Sequence, residues 1–260
     1  MTYQLIVSTM NQKDDSLIEK MHINSDAIII NQSDKYSFHE TRKGSHIIKW
    51  YEFNERGIGL SRNSGFMRAD ADIIQFADDD MVLTDTYAED LVAEYEKHPE
   101  ADVILVSNNC LNPDRMPYPV NKFGRVRRIE GVNFGGARIT ARREKLLYNN
   151  ICFSLLFGGG AKYCAGEDVT FIQDCIKSGM KVFKSPLIVS TMAQEDSTWF
   201  NGYTEKYFKD KGALLEANFP LFGNLGAVAT AFKNRNRSEK SYKELLDLYQ
   251  SGIKEFKKNK

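Results

Sequence analysis

Ile73-Ile74-Gln75-Phe76-Ala77-Asp78-Asp79-Asp80-Met81-Val82-Leu83 is an apolar run of strand length that delivers three consecutive aspartates and then turns apolar again. A strand of this kind is buried on both faces, and open α/β sheets bind their ligands at the carboxyl ends of such strands. With extended geometry continued through the acids, Asp78 and Asp80 project to one side and Asp79 to the other. The alternating pair can then share one hard cation, which also offsets the repulsion among three adjacent carboxylates. The competing reading is a solvated acidic turn that caps the following helix, since Asp85 and Thr86 come next.

Immediately upstream, Asn54-Glu55-Arg56-Gly57-Ile58-Gly59-Leu60-Ser61-Arg62-Asn63-Ser64-Gly65 opens a helix predicted to run to about Ala69. Its glycines let the backbone approach closely, and Arg62 and Asn63 supply a cationic fork and an amide, a combination suited to a diphosphate. The alternative for Arg62 is an ordinary surface charge. No Gly-Lys-Ser/Thr follows, so this is not a Walker loop, and the third glycine of the dinucleotide fingerprint is missing at the required spacing. Downstream, Thr86-Tyr87-Ala88-Glu89 has the spacing of a capping box. Tyr87, Leu91 and Tyr95 mark one face of a helix that Pro99 stops after His98, and Asp102 to Ser107 reads as the next strand.

Toward the N-terminus, Tyr3 to Met10 reads as a strand that ends in small polar residues with Asn11 and Gln12 behind them. A short helix over Ser16 to Met21 follows. Ala27 to Asn31 is a second strand, ending in Asn31-Gln32-Ser33-Asp34, and His46 to Phe53 is a third. Ordinary turn chemistry accounts for any one of these polar ends taken alone. The order of strands and helices predicts an α/β fold, a mainly parallel sheet flanked by helices.

Toward the C-terminus, Pro113, Pro117 and Pro119 break the stretch from Asn108 to about Asn133, and loops of that length inside a domain are usually functional or mobile. Lys122, Arg125, Arg127, Arg128, Arg138, Arg142, Arg143 and Lys145 cluster against only Glu130 and Glu144. They form either a solvated face or a contact with anionic lipid head groups or a phosphate-bearing acceptor. Phe157-Gly158-Gly159-Gly160-Ala161 is a hinge or close-approach segment. Gly166-Glu167-Asp168 precedes a helix with Val169, Ile172 and Ile176 on one face and Gly179 as its stop. Acids at that position cap free N–H groups without any chemistry, and the same geometry holds a carboxylate rigidly at the rim of a site.

Gly179 to Phe183 and Leu187 to Val189 read as two short strands. A helical, aromatic-rich region follows, with Tyr203, Tyr207, Phe208, Phe219 and Phe222. Ser241 and Glu244 then form a capping box for an amphipathic helix, with Tyr242, Leu245, Leu246, Tyr249, Ile253 and Phe256 on one side; docking of that side on the domain is expected, with pairing to a second subunit or a membrane surface as the alternatives.

With 260 residues, 42% of them hydrophobic, the chain can bury a full core; the division expected is one α/β domain over 1–200 and a helical extension over 201–260 packed on it. Lys+Arg and Asp+Glu both number 35, so no global field attracts nucleic acid. Nothing reads as a signal peptide, and no apolar run approaches the ~20 residues that span a bilayer. The expected location is cytoplasmic, with peripheral contact at the inner face of the membrane left open. Cys110, Cys152, Cys164 and Cys175 make no Cys-x-x-Cys pair and the four histidines are scattered, so reduced, mostly buried thiols are expected rather than zinc or disulfides.

A first strand ending in small polar residues, then Gly-x-Gly-Leu-Ser-Arg-Asn-x-Gly over Gly57 to Gly65, then Asp78-Asp79-Asp80, then Gly166-Glu167-Asp168 together resemble family-two glycosyltransferases of GT-A fold. The resemblance covers roughly Tyr3 to Trp199. It implies that Thr9, Asn11 and Asn31 line the nucleotide pocket, that Arg62, Asn63, Asp78 and Asp79 contact the donor, and that Asp78 and Asp80 form the Asp-x-Asp motif holding Mn2+ or Mg2+. Asp168 is implied as catalytic base and Glu167 as a neighbouring acceptor or orienting carboxylate.

The same resemblance implies an inverting transfer from a nucleotide-diphosphate sugar, with UDP as the usual nucleotide. The acceptor implied is a hydroxyl of a glycan or lipid-linked saccharide in surface polysaccharide assembly. The sequence departs from the family pattern in Ser8-Thr9-Met10-Asn11, where Pro-x-Tyr-Asn is usual, and in Asn31-Gln32-Ser33-Asp34, where Asp-Asp-Gly-Ser is usual. Gln-x-x-Arg-Trp is absent, which points to single sugar additions, and Gln194 or Glu195 stands where relatives carry a late histidine. A sugar-phosphate nucleotidyltransferase and a non-catalytic nucleotide- or sugar-binding module are the competing readings.

Overall fold

In the computed structural model, which describes residues 1–113, 116–192 and 202–259, β1 (Tyr3–Met10) is followed by α1 (Leu17–Lys20), β2 (Ala27–Gln32), β3 (Ser37–Lys43), β4 (His46–Phe53) and α2 (Ile58–Arg68). The aspartate stretch divides into β5 (Ile73–Asp78) and β6 (Met81–Leu83), and α3 (Tyr87–Lys97) and β7 (Val103–Cys110) come next. A less regular middle holds β8 (Gly124–Arg125), α4 (Arg128–Gly131), a 3-10 turn over Gly136–Arg138, β9 (Ile139–Arg142) and α5 (Arg143–Tyr148). Last come α6 (Glu167–Lys177), β10 (Val182–Met192), α7 (Glu205–Asn218), α8 (Gly223–Asn234) and α9 (Tyr242–Lys258).

One sheet runs β3-β4-β2-β1-β5-β9-β7-β10-β6, with β8 also paired to β10. β4, β2, β1 and β5 pair in parallel, as do β7 and β10, while β9 lies antiparallel between β5 and β7. The strands of both parallel blocks therefore point one way and bring their carboxyl ends to one edge. Alternation along β1 sends Leu5 and Val7 into a core with Leu17, Trp50, Leu91 and Tyr95, and sends Ile6 into a second core with Phe66, Phe76 and Phe171. Helix α2 reaches the sheet because Gly65 lies against Ile6; a Cβ there has no room.

The third predicted strand has a partner that periodicity concealed. β3 pairs with β4 across a turn at Gly44, whose φ is 62°, and its residues are mostly exposed, so no alternation marks it as an edge strand. The two short strands predicted near Lys181 and Leu187 are one, β10, interrupted where its pairing to β7 shifts register between Lys184 and Ile188, beside Pro186. At α3 no capping box forms, because the Thr86 hydroxyl donates to Asp90 instead; at α9 the Ser241–Glu244 box does form.

Leu245, Tyr249 and Ile253 of α9 pack against Phe208 of α7 and Ala227 and Ala231 of α8, within the C-terminal helices themselves; Phe256 reaches the Phe157 and Tyr163 rings, and Tyr242 of the predicted face is exposed. α7 in turn holds α6: Leu214 covers Gly166, and the Asn218 amide donates to the Thr170 hydroxyl at 3.2 Å. The basic cluster between Lys122 and Lys145 is not one solvated face. Arg125, Arg128, Arg138 and Arg142 each donate to backbone carbonyls, of Met180, Asn218, Val106 and Ala101 respectively. Of the four free cysteines only Cys175 is fully buried, and Cys152 is exposed. Among the described residues no helix is long and apolar enough to cross a membrane.

Candidate active site

Strand register sets the first contacts at the carboxyl edge. Ser8 of β1 lies opposite Asp78 of β5, and the Ser61 hydroxyl of α2 donates to that of Ser8 at 2.9 Å. β5 ends at Asp78, and Asp79 and Asp80 form the turn into β6, which β10 holds by antiparallel pairing. Strand alternation therefore does not extend across the three acids, and each has its own surroundings. Asp78 accepts from Arg62 at 2.8 Å. Asp79 accepts from the Thr9 hydroxyl at 2.5 Å, and Gln12 donates to the same hydroxyl at 2.9 Å.

Arg62 is not a surface charge: it is 3% exposed, with one nitrogen on Asp78 and the other 2.9 Å from Glu167. Its guanidinium lies over the Phe153 ring, 5.2 Å from the centroid, and passes Gly136, where a Cβ would sit 2.5 Å from Cζ. Burial opposes its charge, but Asp78, Glu167 and Asp168 outweigh that and hold it well above the ordinary guanidinium value. Among the described residues its Nε has no hydrogen-bond partner.

At the start of α6, Gly166 adopts φ 111° and turns the chain so that Glu167 and Asp168 enter the first turn. Glu167 is committed to Arg62 and faces Gly158, where a Cβ would lie 2.8 Å from its second oxygen. Asp168 accepts from the Val169 N–H at 2.7 Å, so part of the capping role expected of an acid here is real. Its carboxyl is half-buried, and burial together with the Glu167 charge pushes it up to about 7, against the opposing pull of that N–H and of Arg62.

Two predicted donor residues are occupied by the fold. Both ends of the Asn63 amide are bonded to the Phe153 backbone, at 2.9 and 2.8 Å. Both ends of the buried Asn31 amide are bonded to the Gln12 backbone, at 3.1 and 3.0 Å. Asn11 stands exposed with φ 56°. The predicted diphosphate approach at the start of α2 is closed by protein: Gln32 accepts from Gly57 N–H at 2.7 Å, Gly159 accepts from Ile58 N–H at 3.0 Å, and Gly59 packs on the Ser154 carbonyl. Gln194 and Glu195 lie outside the described residues.

Sequence reasoning missed Gln12, Gln32, Gly136 and Phe153. The two glutamines sit in polar clusters at strand ends, which was the available signal; nothing in local spacing ties Gly136 or Phe153 to Arg62. A cavity of about 370 Å³ opens beside Gln12, lined by Lys13, Lys35, His39, Trp50 and Glu52. Asp78 at the end of β5 and Asp80 in the turn that follows carry carboxylate oxygens, the donor type that a hard divalent ion takes. Among the described residues no group of three or more His, Cys, Asp or Glu could hold a metal unaided.

A model described as glycosyl transferase family 2 matches residues 14–153, more than half of the chain. No curated protein sequence matches. Among solved structures, S. aureus TarS 1-349 in complex with UDP-GlcNAc is similar over 100% of this chain and 93% of that one, at 12% identity and a TM-score of 0.66. The same TarS fragment in complex with UDP covers 100% and 92%, at 13% identity and a TM-score of 0.63. At these identities the likeness is one of fold, and the architecture is GT-A.

Proposed function

The chain belongs to glycosyl transferase family 2, and from that membership we propose that it moves one sugar from a nucleotide-diphosphate donor to a hydroxyl of a glycan or lipid-linked saccharide, with inversion. Surface polysaccharide assembly at the cytoplasmic face of the membrane is the setting this implies. Residues 1–200 act as the transferase domain and 201–260 as its helical support. The observation that carries the reading is the Arg62 bridge, which ties the acidic turn at Asp78 to Glu167, next to Asp168.

On the donor side, Thr9, Asn11 and Asn31 shape the nucleotide pocket, Asn31 by fixing Gln12 and Thr9 by its bond to Asp79. TarS has been crystallised with UDP and UDP-GlcNAc, which makes UDP-sugars the first donors to test. Asp78 and Asp80 hold Mn2+ or Mg2+, which when bound offsets the negative charge that builds on a departing diphosphate. Arg62 orients Asp78 from behind, and Asn63 fixes the Phe153 segment that covers Arg62.

On the acceptor side, Asp168 takes the proton from the attacking hydroxyl, on the sugar face opposite the diphosphate, as inversion requires. A carboxyl raised toward neutrality by burial and by Glu167 is a better proton acceptor than an ordinary exposed one. Glu167 is the orienting carboxylate, held by Arg62.

The test is product analysis with a panel of nucleotide-sugars and saccharide acceptors, following nucleoside diphosphate and pyrophosphate separately. Diphosphate release with sugar joined to acceptor, abolished by Asp168→Asn while donor binding persists, is the expected result. Pyrophosphate as product would assign nucleotidyl transfer, and donor binding without turnover under any condition would assign a binding module.

A further inference from the structure

Helix α8 is inverted relative to an ordinary amphipathic helix. Its buried side carries Gly223, Ala227, Ala231 and Asn234, small enough to lie close to α7 and α9. Its outer side carries Leu225, Val228 and Phe232, which are 68%, 41% and 59% exposed. Spacings of three and four residues align these in one stripe, and Leu221, 90% exposed, extends it beyond the helix start. Keeping such a row in water costs roughly 25 cal/mol for each Å² of apolar surface, so it marks an interaction surface.

Charge identifies the partner. α8 contains no acid, and residues 219–240 hold Lys233, Arg235, Arg237 and Lys240 against Glu239; Lys240 is paired with Glu205 at 2.8 Å and Arg237 donates to the Tyr203 hydroxyl at 3.2 Å, which leaves Lys233 and Arg235 as the cations facing outward. Lys233 and Arg235 are exposed at the end of the stripe, and the Arg235 guanidinium lies 4.0 Å from the Phe232 ring centroid. An aromatic anchor with a cation reaching past it suits the boundary between acyl chains and phosphate head groups. Upstream of Leu221, Arg128 donates to the Asn218 carbonyl at the end of α7 and lies over the Phe219 ring. A second copy seated on the same face would meet this cationic rim with its own, and the stripe has no acid to answer it.

We propose that the outer face of α8, with the preceding turn at Leu221 and Phe222, lies in the surface of an anionic bilayer. This surface is separate from the transfer site and stands independently of which sugar is moved. Because α7 is fixed to α6 by Leu214 on Gly166 and by Asn218 on Thr170, the contact holds the Asp168 side of the molecule at a set distance from the lipid.

The test is flotation of the full chain with vesicles of phosphatidylcholine alone and of phosphatidylcholine mixed with phosphatidylglycerol. Wild type should float with the mixed vesicles and release on raising salt. Leu225→Ser/Phe232→Ser should lower the bound fraction about tenfold or more, with an unchanged or higher melting temperature, since both side chains are exposed. Lys233→Ser/Arg235→Ser should weaken binding to the mixed vesicles only. Failure of wild type to bind the mixed vesicles, or undiminished binding by the Leu225/Phe232 variant, overturns the proposal. So does sedimentation showing a wild-type dimer that Leu225→Ser/Phe232→Ser converts to monomer, because a second copy would then cover the stripe.

Discussion

A guanidinium nitrogen of Arg62 lies 2.9 Å from a carboxylate oxygen of Glu167, across 105 positions of sequence, and both side chains are withdrawn from water. The same guanidinium holds Asp78 at 2.8 Å, so one buried cation balances acids from two separate elements. Removing a partner from a buried ion pair strands the remaining charge, at a cost of about 3–5 kcal/mol. Arg62→Met should therefore destabilise the protein by that amount in denaturant unfolding. Arg62→Lys should recover only part of it, because an ammonium lacks the two-sided fork. A loss under about 1 kcal/mol for Arg62→Met would show that the bridge is not formed.

Asp168 gives stability a pH dependence with a definite sign. Its folded carboxyl is raised to about 7, whereas an unfolded aspartate titrates near 3.9. Between those values the folded chain binds a proton that the unfolded chain has released, so this group's contribution is full below about pH 4 and is lost as pH rises through about 7. Unfolding midpoints of wild type and Asp168→Asn measured from pH 4 to 8 should diverge in that direction, the variant gaining relative stability at the alkaline end. Parallel curves would mean an ordinary carboxyl.

The pH dependence of transfer should follow the same group in the opposite sense. A general base must be unprotonated, so kcat/KM should rise as pH increases through the region of about 7 and then level. Asp168→Asn should abolish the rise together with the activity while leaving donor binding in place.

Gly136 has no room for a side chain beside the Arg62 guanidinium. Gly136→Ala should displace the bridge and cost about 1–3 kcal/mol of stability, and it should lower transfer although the residue bears no functional group. Additivity of Gly136→Ala with Arg62→Met in a double-mutant cycle would argue against this route.

Nucleotide selection is measurable by thermal shift with UDP, GDP, CDP and dTDP, each with and without Mn2+. A ligand that binds the folded state alone raises the melting temperature by mass action. UDP with Mn2+ should stand out, and Asp80→Ala should lose the metal-dependent part. Equal shifts in wild type and variant would remove Asp80 from the ion site.

The α/β class, the strands that end at the carboxyl edge, the helix from Ile58, the acids at Asp78–Asp80 and at Glu167–Asp168, and the capped helix at Ser241 were all legible in the sequence. Each is written locally, in apolar runs, in spacings of three and four, and in cap residues. The edge strand β3 was not, because an exposed polar strand leaves no alternation to read. Only the tertiary structure decided that Arg62 faces inward, that Asn31 and Asn63 spend their amides on backbone, and that α8 turns its large apolar side chains outward. The reason is physical: a side chain's charge state and accessibility depend on which distant groups remove its water, and that pairing comes from packing across the sheet rather than from its neighbours along the chain.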